Sequence, residues 1–162
     1  MFQQVITLNE FNRGYLNRLL ADLPQERIDD QLADGLHSVR WILAHLAIVA
    51  DYGLKQLDLP FVCPMTWHVA YGPSSQAGTS DRVRPTFDEL VDAIGQGYST
   101  LCNALRSIDD EHLAMPHEVE LLKNTALKTK ADIVSHILAT HFATHLGQLS
   151  TLRRLMGLSA LF

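Results

Sequence analysis

Residues 131–149 read ADIVSHILATHFATHLGQL, and the fold prediction starts from this stretch. Residues four apart share one face of an α-helix, with Cβ atoms about 5–6 Å apart. At that spacing, one stripe carries two imidazoles among apolar residues: Val134, Leu138, His141, His145, Leu149, Leu152 and Met156. Because an apolar stripe faces a protein interior, the stretch predicts a core helix with two buried histidines. We expect this helix to run from about Lys130 to Met156 and to end at Gly157.

Three further segments have helical periodicity, and none shows the alternation of a β-strand. They cover about 2–23, 38–57 and 85–108. Ser38 is a good N-cap for the second helix, and Thr86 with Glu89 forms a capping box for the third. A short helical turn is expected at about 109–113. The sequence therefore predicts an all-α fold, a four-helix bundle formed by a single domain over residues 1–162.

A long loop joins the second and third predicted helices, from Pro60 to Pro85. Loops of this length in compact domains are usually functional or disordered. The first half contains several aromatic residues, among them Trp67 beside His68. We expect that half to fold over one end of the bundle.

Composition excludes several classes of protein. The chain has 162 residues, of which 47% are hydrophobic and 19% charged, as in a folded single domain. A formal net charge of -5 leaves no basic field for nucleic acid. The longest apolar stretch, residues 41–50, is too short to span a bilayer, and residues 1–4 lack signal-peptide features. Two isolated cysteines fit a reducing compartment at least as well as a single disulfide. We therefore expect a soluble cytoplasmic protein that binds neither nucleic acid nor membrane.

The buried histidines point to a metal. Two imidazoles four apart can converge on one ion, although for a lone pair the favoured interpretation is core histidines bonded to carbonyls or hydroxyls. The second helix adds a third histidine, because its inward stripe contains Trp41, Ile42, His45, Val49 and Tyr52. Three histidines with open coordination positions suit zinc, nickel or iron better than calcium or magnesium.

Two stretches resemble the DinB-like superfamily, also called the DinB/YfiT group of metal-dependent enzymes. SVRWILAHL at 38–46 is similar to the second-helix motif that carries the first metal histidine. HILATHFATHLGQL at 136–149 is similar to the family's HxxxHxGQL motif. Helix order and loop placement agree over nearly the whole chain. One departure is Leu146, where many relatives carry Arg.

The resemblance implies a homodimeric four-helix bundle with a divalent metal, zinc or nickel first and iron third, on His45, His141 and His145. Some relatives transfer or isomerise small molecules with low-molecular-weight thiols such as mycothiol, bacillithiol or glutathione. We therefore expect a metal-dependent, thiol S-transferase-like enzyme acting on a small molecule. Trp41, Trp67 and His68 are candidates for the pocket. The sequence does not identify a catalytic residue.

Three alternatives stay open. The protein could be a metal-dependent hydrolase, although Phe142 replaces the general-base Glu of an HExxH metalloprotease. It could be a non-catalytic bundle, for which a closed coordination sphere with His68 or Cys63 as fourth ligand is expected. It could also be a metal-free bundle that acts through its surface.

Two side chains near the motif carry expectations of their own. His136 lies about 140° around a regular α-helix from His141, so it is expected to pack beside another helix instead of binding the metal. Arg153 and Arg154 are expected to neutralise the C-terminal end of the fourth helix.

Overall fold

The computed structural model describes residues 2–73, 75 and 83–161. This part of the chain contains seven α-helices: α1 (Gln3–Leu20), α2 (Val39–Gln56), α3 (Met65–Tyr71), α4 (Phe87–Ala104), α5 (Asp110–Ala114), α6 (Lys130–His136) and α7 (Phe142–Leu155). A π-helical segment, Ile137–His141, joins α6 to α7 without a break. Short 3₁₀ turns lie at Gln25–Arg27 and Glu120–Leu122. Across these residues, no helix combines the length and apolar character that a bilayer span requires.

Four long helical units form the bundle, the fourth being α6, the π-helical segment and α7 together. The prediction of an all-α four-helix bundle is confirmed, and each predicted helix extends only slightly past its observed C-terminus. The caps also form as expected. The Ser38 hydroxyl accepts the Trp41 backbone N–H at 3.2 Å, and Thr86 and Glu89 close their capping box. Gly157 follows α7 with φ of +88°, a left-handed conformation that glycine adopts without strain.

Helix α2 is the centre of the bundle, with 15 of its 18 residues buried. It packs on α4 and on both halves of the fourth unit, while α1 packs on the π-helical segment and α7. The approach of α2 to α4 is close, because a Cβ atom at Gly97 would lie 2.8 Å from the Ala50 Cβ. His45, in the middle of α2, is thereby held in the interior next to the fourth unit.

The first half of the long loop folds against α2, largely through one buried carboxylate. Asp51 is fully buried on α2 and accepts the backbone N–H groups of Val62 at 2.8 Å and Cys63 at 3.0 Å. His68 Nε2 lies 2.9 Å from the same carboxylate. These contacts hold α3 on the bundle. Residues 74 and 76–82 of the loop lie outside the described residues.

Arg153 differs from its expected role. Its side chain is buried, donates to the Leu19 carbonyl at 2.7 Å and pairs with the Asp22 carboxylate. It therefore ties α7 to the end of α1, because that end supplies acceptors for a guanidinium. Arg154 is exposed and bonds within its own helix, to the Ser150 carbonyl.

Candidate metal centre

Three predicted ligands meet in the bundle interior. His45 comes from α2, His141 ends the π-helical segment, and His145 lies in the first turn of α7. The Nε2 atoms of His45 and His145 each lie 3.3 Å from His141 Nε2. One nitrogen from each ring lies within 4.8 Å of the others. Two nitrogens bound to one tetrahedral zinc lie about 3.3 Å apart, since each Zn–N bond is about 2.0–2.1 Å. Two of the three separations thus match a shared ion.

The hydrogen bonds of Nδ1 in His45 and His145 determine which nitrogen of each ring carries the hydrogen. His45 Nδ1 lies 2.8 Å from the Tyr71 backbone carbonyl, and His145 Nδ1 lies 2.7 Å from Gln148 Oε1. Both oxygens accept, so both Nδ1 atoms carry the hydrogen and both Nε2 atoms present a lone pair. Metal-binding histidines have this arrangement, in which the outer N–H is donated to a carbonyl or carboxylate.

His141 makes a metal-free interpretation unfavourable. Its Nδ1 is buried and has no hydrogen-bond partner among the described residues. If its Nε2 carries a hydrogen, it donates to only one of the two neighbouring lone pairs, and the other is left unpaired. If its Nε2 carries a lone pair, three lone pairs face one another, and a cation is the partner that satisfies them. The donor set therefore fits a transition metal ion.

Burial keeps the three imidazoles in the neutral form that a metal requires. Desolvation is the main cause that lowers the pKa of His45 to about 4 and of His141 to about 3, and nearby imidazoles add to both shifts. Desolvation also lowers the pKa of His145. At neutral pH all three are therefore uncharged and able to ligate.

The three residues that were candidates for the pocket, Trp41, Trp67 and His68, lie in different places. The Trp41 indole stacks on the His45 ring at 4.6 Å between centroids and on His37 at 3.5 Å, so it contacts the histidine cluster. Trp67 is half-buried against the core. His68 bonds to Asp51, because a buried carboxylate is its nearest strong partner. None of these three candidates is among the described residues that line the cavity beside the cluster.

Neither proposed fourth ligand lies in the cluster. Among the described residues, the group with converging ligand atoms consists of His45, His141 and His145. The Cys63 backbone N–H and His68 Nε2 both bond to the Asp51 carboxylate. Burial, with the Asp51 charge as a further cause, raises the pKa of the Cys63 thiol to about 12, so this thiol is not a nucleophile at neutral pH.

A cavity of about 250 Å³ opens beside His45 and His141. Most of its wall is apolar, formed by Val49, Val119, Leu121, Leu122, Ile133 and Ile137. Tyr52, Pro73 and His136 complete the described lining. None of these residues carries a carboxylate, ammonium or guanidinium group. The cavity can therefore hold a small apolar molecule next to the histidine cluster.

His136 lies at this cavity, contrary to the expectation that it packs beside another helix. The π-helical segment Ile137–His141 has more residues per turn than an α-helix, so residues five apart share a face. The ring centroids of His136 and His141 are 5.7 Å apart as a result. The 3.6-residue period assumed for the sequence gives no sign of this local change in register.

Comparison with known proteins supports the fold and the motifs. The sequence profile of the DinB superfamily matches residues 8–149. A crystal structure of a conserved protein from Enterococcus faecalis is 18% identical, with a TM-score of 0.73 over 97% of this chain and 98% of that one. YfiT from Bacillus subtilis, described as a probable metal-dependent hydrolase with an unusual four-helix bundle topology, is 16% identical. Its TM-score is 0.67 over 96% of this chain and 87% of that one. No curated protein matched by sequence.

Proposed function

The chain belongs to the DinB superfamily, and from that premise we propose a metal-dependent, thiol S-transferase-like enzyme that acts on a small molecule. His45, His141 and His145 hold its divalent metal. The convergence of three Nε2 atoms beside an apolar cavity supports the metal site and the small-molecule substrate, and the thiol-transfer reaction rests on the resemblance to relatives that use thiols. When bound, the metal supplies Lewis acidity towards a thiol or a water molecule. Zinc or nickel is the proposed ion, with iron as a third candidate, because imidazole ligates all three.

The residues around the ligands orient them. The Tyr71 carbonyl and the Gln148 amide oxygen hold His45 and His145 with Nε2 directed at the centre. The ligands lie on packed helices, which limits their movement. Trp41 covers one face of the His45 ring, and the cavity beside the ligands offers a mostly apolar wall to a small apolar substrate.

A metal-dependent hydrolase is the second candidate. It is favoured by the structural likeness to YfiT, which is described as a probable metal-dependent hydrolase. The same three ligands and cavity suit water as the attacking molecule. A non-catalytic bundle has less support, because His68 Nε2 and the Cys63 N–H bond to Asp51, and the converging ligand group among the described residues contains three histidines alone.

Elemental analysis of native, untagged protein tests the metal site. We expect about one equivalent of transition metal in the native protein and its loss in His45→Ala and His141→Ala. His112→Ala is the control, because that half-buried imidazole bonds to the Gln56 carbonyl at 2.8 Å, away from the cluster. A native protein that holds no metal and takes none up contradicts the proposal.

Activity assays on the metal-containing protein separate the two enzymes. The assay offers an apolar electrophile with a panel of low-molecular-weight thiols, and separately offers esters and amides without thiol. Turnover that requires a thiol supports the transferase. Hydrolysis that is independent of thiol supports the second candidate, and metal binding without either activity supports the non-catalytic bundle.

A further inference from the structure

The cavity beside the histidine cluster contains a polar side chain that the metal site does not use. His136 lines this cavity with His141, and the two rings meet edge to face at an angle of 77°. Among the described lining residues outside the cluster, His136 and Tyr52 are those with polar side chains. His136 is therefore placed to contact whatever molecule occupies the cavity.

The hydrogen bonds of His136 determine which ring nitrogen can meet a ligand. The Thr140 hydroxyl oxygen lies 2.6 Å from His136 Nδ1 and 3.3 Å from the His136 backbone carbonyl oxygen. Nδ1 is therefore paired with Thr140, and Nε2 is the ring nitrogen left for another partner. His136 thus brings one hydrogen-bonding nitrogen to the cavity wall.

We propose that the cavity binds a neutral, largely apolar small molecule, and that His136 selects it through a hydrogen bond between Nε2 and a hydroxyl group of that molecule. The apolar wall favours an apolar body. A charged ligand would lose its hydration without meeting an opposite charge among the described lining residues. A ligand without a hydrogen-bonding group would leave Nε2 desolvated and unpaired.

The size of the cavity narrows the class further. At about 250 Å³, the described part of the cavity has room for a single ring or a short chain. The expected ligand is such a molecule with one hydroxyl group. The identification of this molecule as the substrate rests on the proposed function, whereas its binding to the cavity does not.

A matched pair of probes tests the role of His136. The dissociation constants of 2-phenylethanol and ethylbenzene are measured by NMR titration of native protein, His136→Phe and His136→Gln. The ratio of the two constants isolates the contribution of the hydroxyl group, and its change between variants isolates that of His136. In His136→Phe we expect the relative preference for the alcohol to fall about 3- to 10-fold. His136→Gln keeps an acceptor oxygen and is expected to retain most of the preference.

The metal content of the same samples separates this role from a structural one. We expect native protein and both variants to hold equal metal, since His136 is outside the cluster. An unchanged ratio in His136→Phe, loss of metal in that variant, or failure of both probes to bind the native protein would overturn the proposal. A metal-free native protein contradicts the proposed function instead, while the ratio still tests His136.

Discussion

At the scale of single residues, hydrogen-bond partners distinguish a metal centre from a pair of packed core histidines. The spacing of His141 and His145 is compatible with both. The Tyr71 carbonyl and the Gln148 amide oxygen favour the metal centre, because each accepts an Nδ1–H and turns an Nε2 lone pair towards His141. In a metal-free core, the single ring hydrogen of neutral His141 would pair with only one of the two Nε2 atoms that face it.

The Gln148 amide gives the first prediction at this scale. Gln148→Ala removes the acceptor that orients His145, and we expect the metal dissociation constant to rise about 10- to 100-fold, as for other partners of ligating histidines. Competition with a chelator measures the affinity. Gln96→Ala is the matched control, an exposed helical glutamine on α4 that does not contact the cluster. Equal affinity in native protein and Gln148→Ala would show that the hydrogen bond does not matter.

At the scale of elements, the π-helical segment determines which side chains share a face. Its wider turn changes the register between α6 and α7 and brings His136 beside His141. It also needs partners for backbone groups that a regular helix would pair. The Leu138 carbonyl accepts from the fully buried Asn9 side chain on α1, at 2.9 Å. Packing against α1 therefore stabilises the irregular stretch.

Substitution of Asn9 tests this support. Asn9→Leu keeps the number and branching of side-chain heavy atoms but removes the donor, so the buried Leu138 carbonyl loses its side-chain partner. We expect the free energy of unfolding to fall by about 1–3 kcal/mol, measured by urea denaturation. Asn12→Leu is the comparison, because Asn12 is half-buried and its bond to the Ala139 carbonyl is longer, at 3.4 Å. An equal loss in the two variants would contradict a special role for Asn9.

At the scale of the whole molecule, α2 positions the site because it is packed on several sides. Its neighbours are α3, α4 and the fourth unit of the bundle. The small residues Ala50 and Gly97 allow α2 and α4 to approach closely. His45, in the middle of α2, lies between the Tyr71 carbonyl at the end of α3 and His141 of the fourth unit.

Two glycines on α4 test the close packing with opposite expected signs. Gly97→Ala places a Cβ atom 2.8 Å from the Ala50 Cβ, so we expect a loss of about 1–3 kcal/mol in unfolding free energy. A Cβ atom at Gly95 meets nothing within 4 Å, so Gly95→Ala should gain about 0.5–1 kcal/mol from helix propensity. Thermal and urea unfolding measure both. Stabilisation by both substitutions would show that the two helices are not in tight contact.

Sequence patterns alone predict the four helical units, two of their caps and the three candidate ligands. Helical periodicity and capping depend on residues within a few positions of one another, so they are visible along the chain. The histidines were visible for the same reason, as polar residues on stripes that must be buried. The family also followed from two local motifs, at 38–46 and 136–149.

Helix packing determines the partners of these residues. His68 turns to Asp51, Arg153 reaches Leu19 and Asp22, and His136 joins the cavity. The first two contacts join different elements, and the third depends on a π-helical turn that α1 supports. A buried polar group bonds to whichever partner the packing brings within reach. The positions of two residues along the chain do not specify that partner. It can therefore be identified only once the helices are packed together.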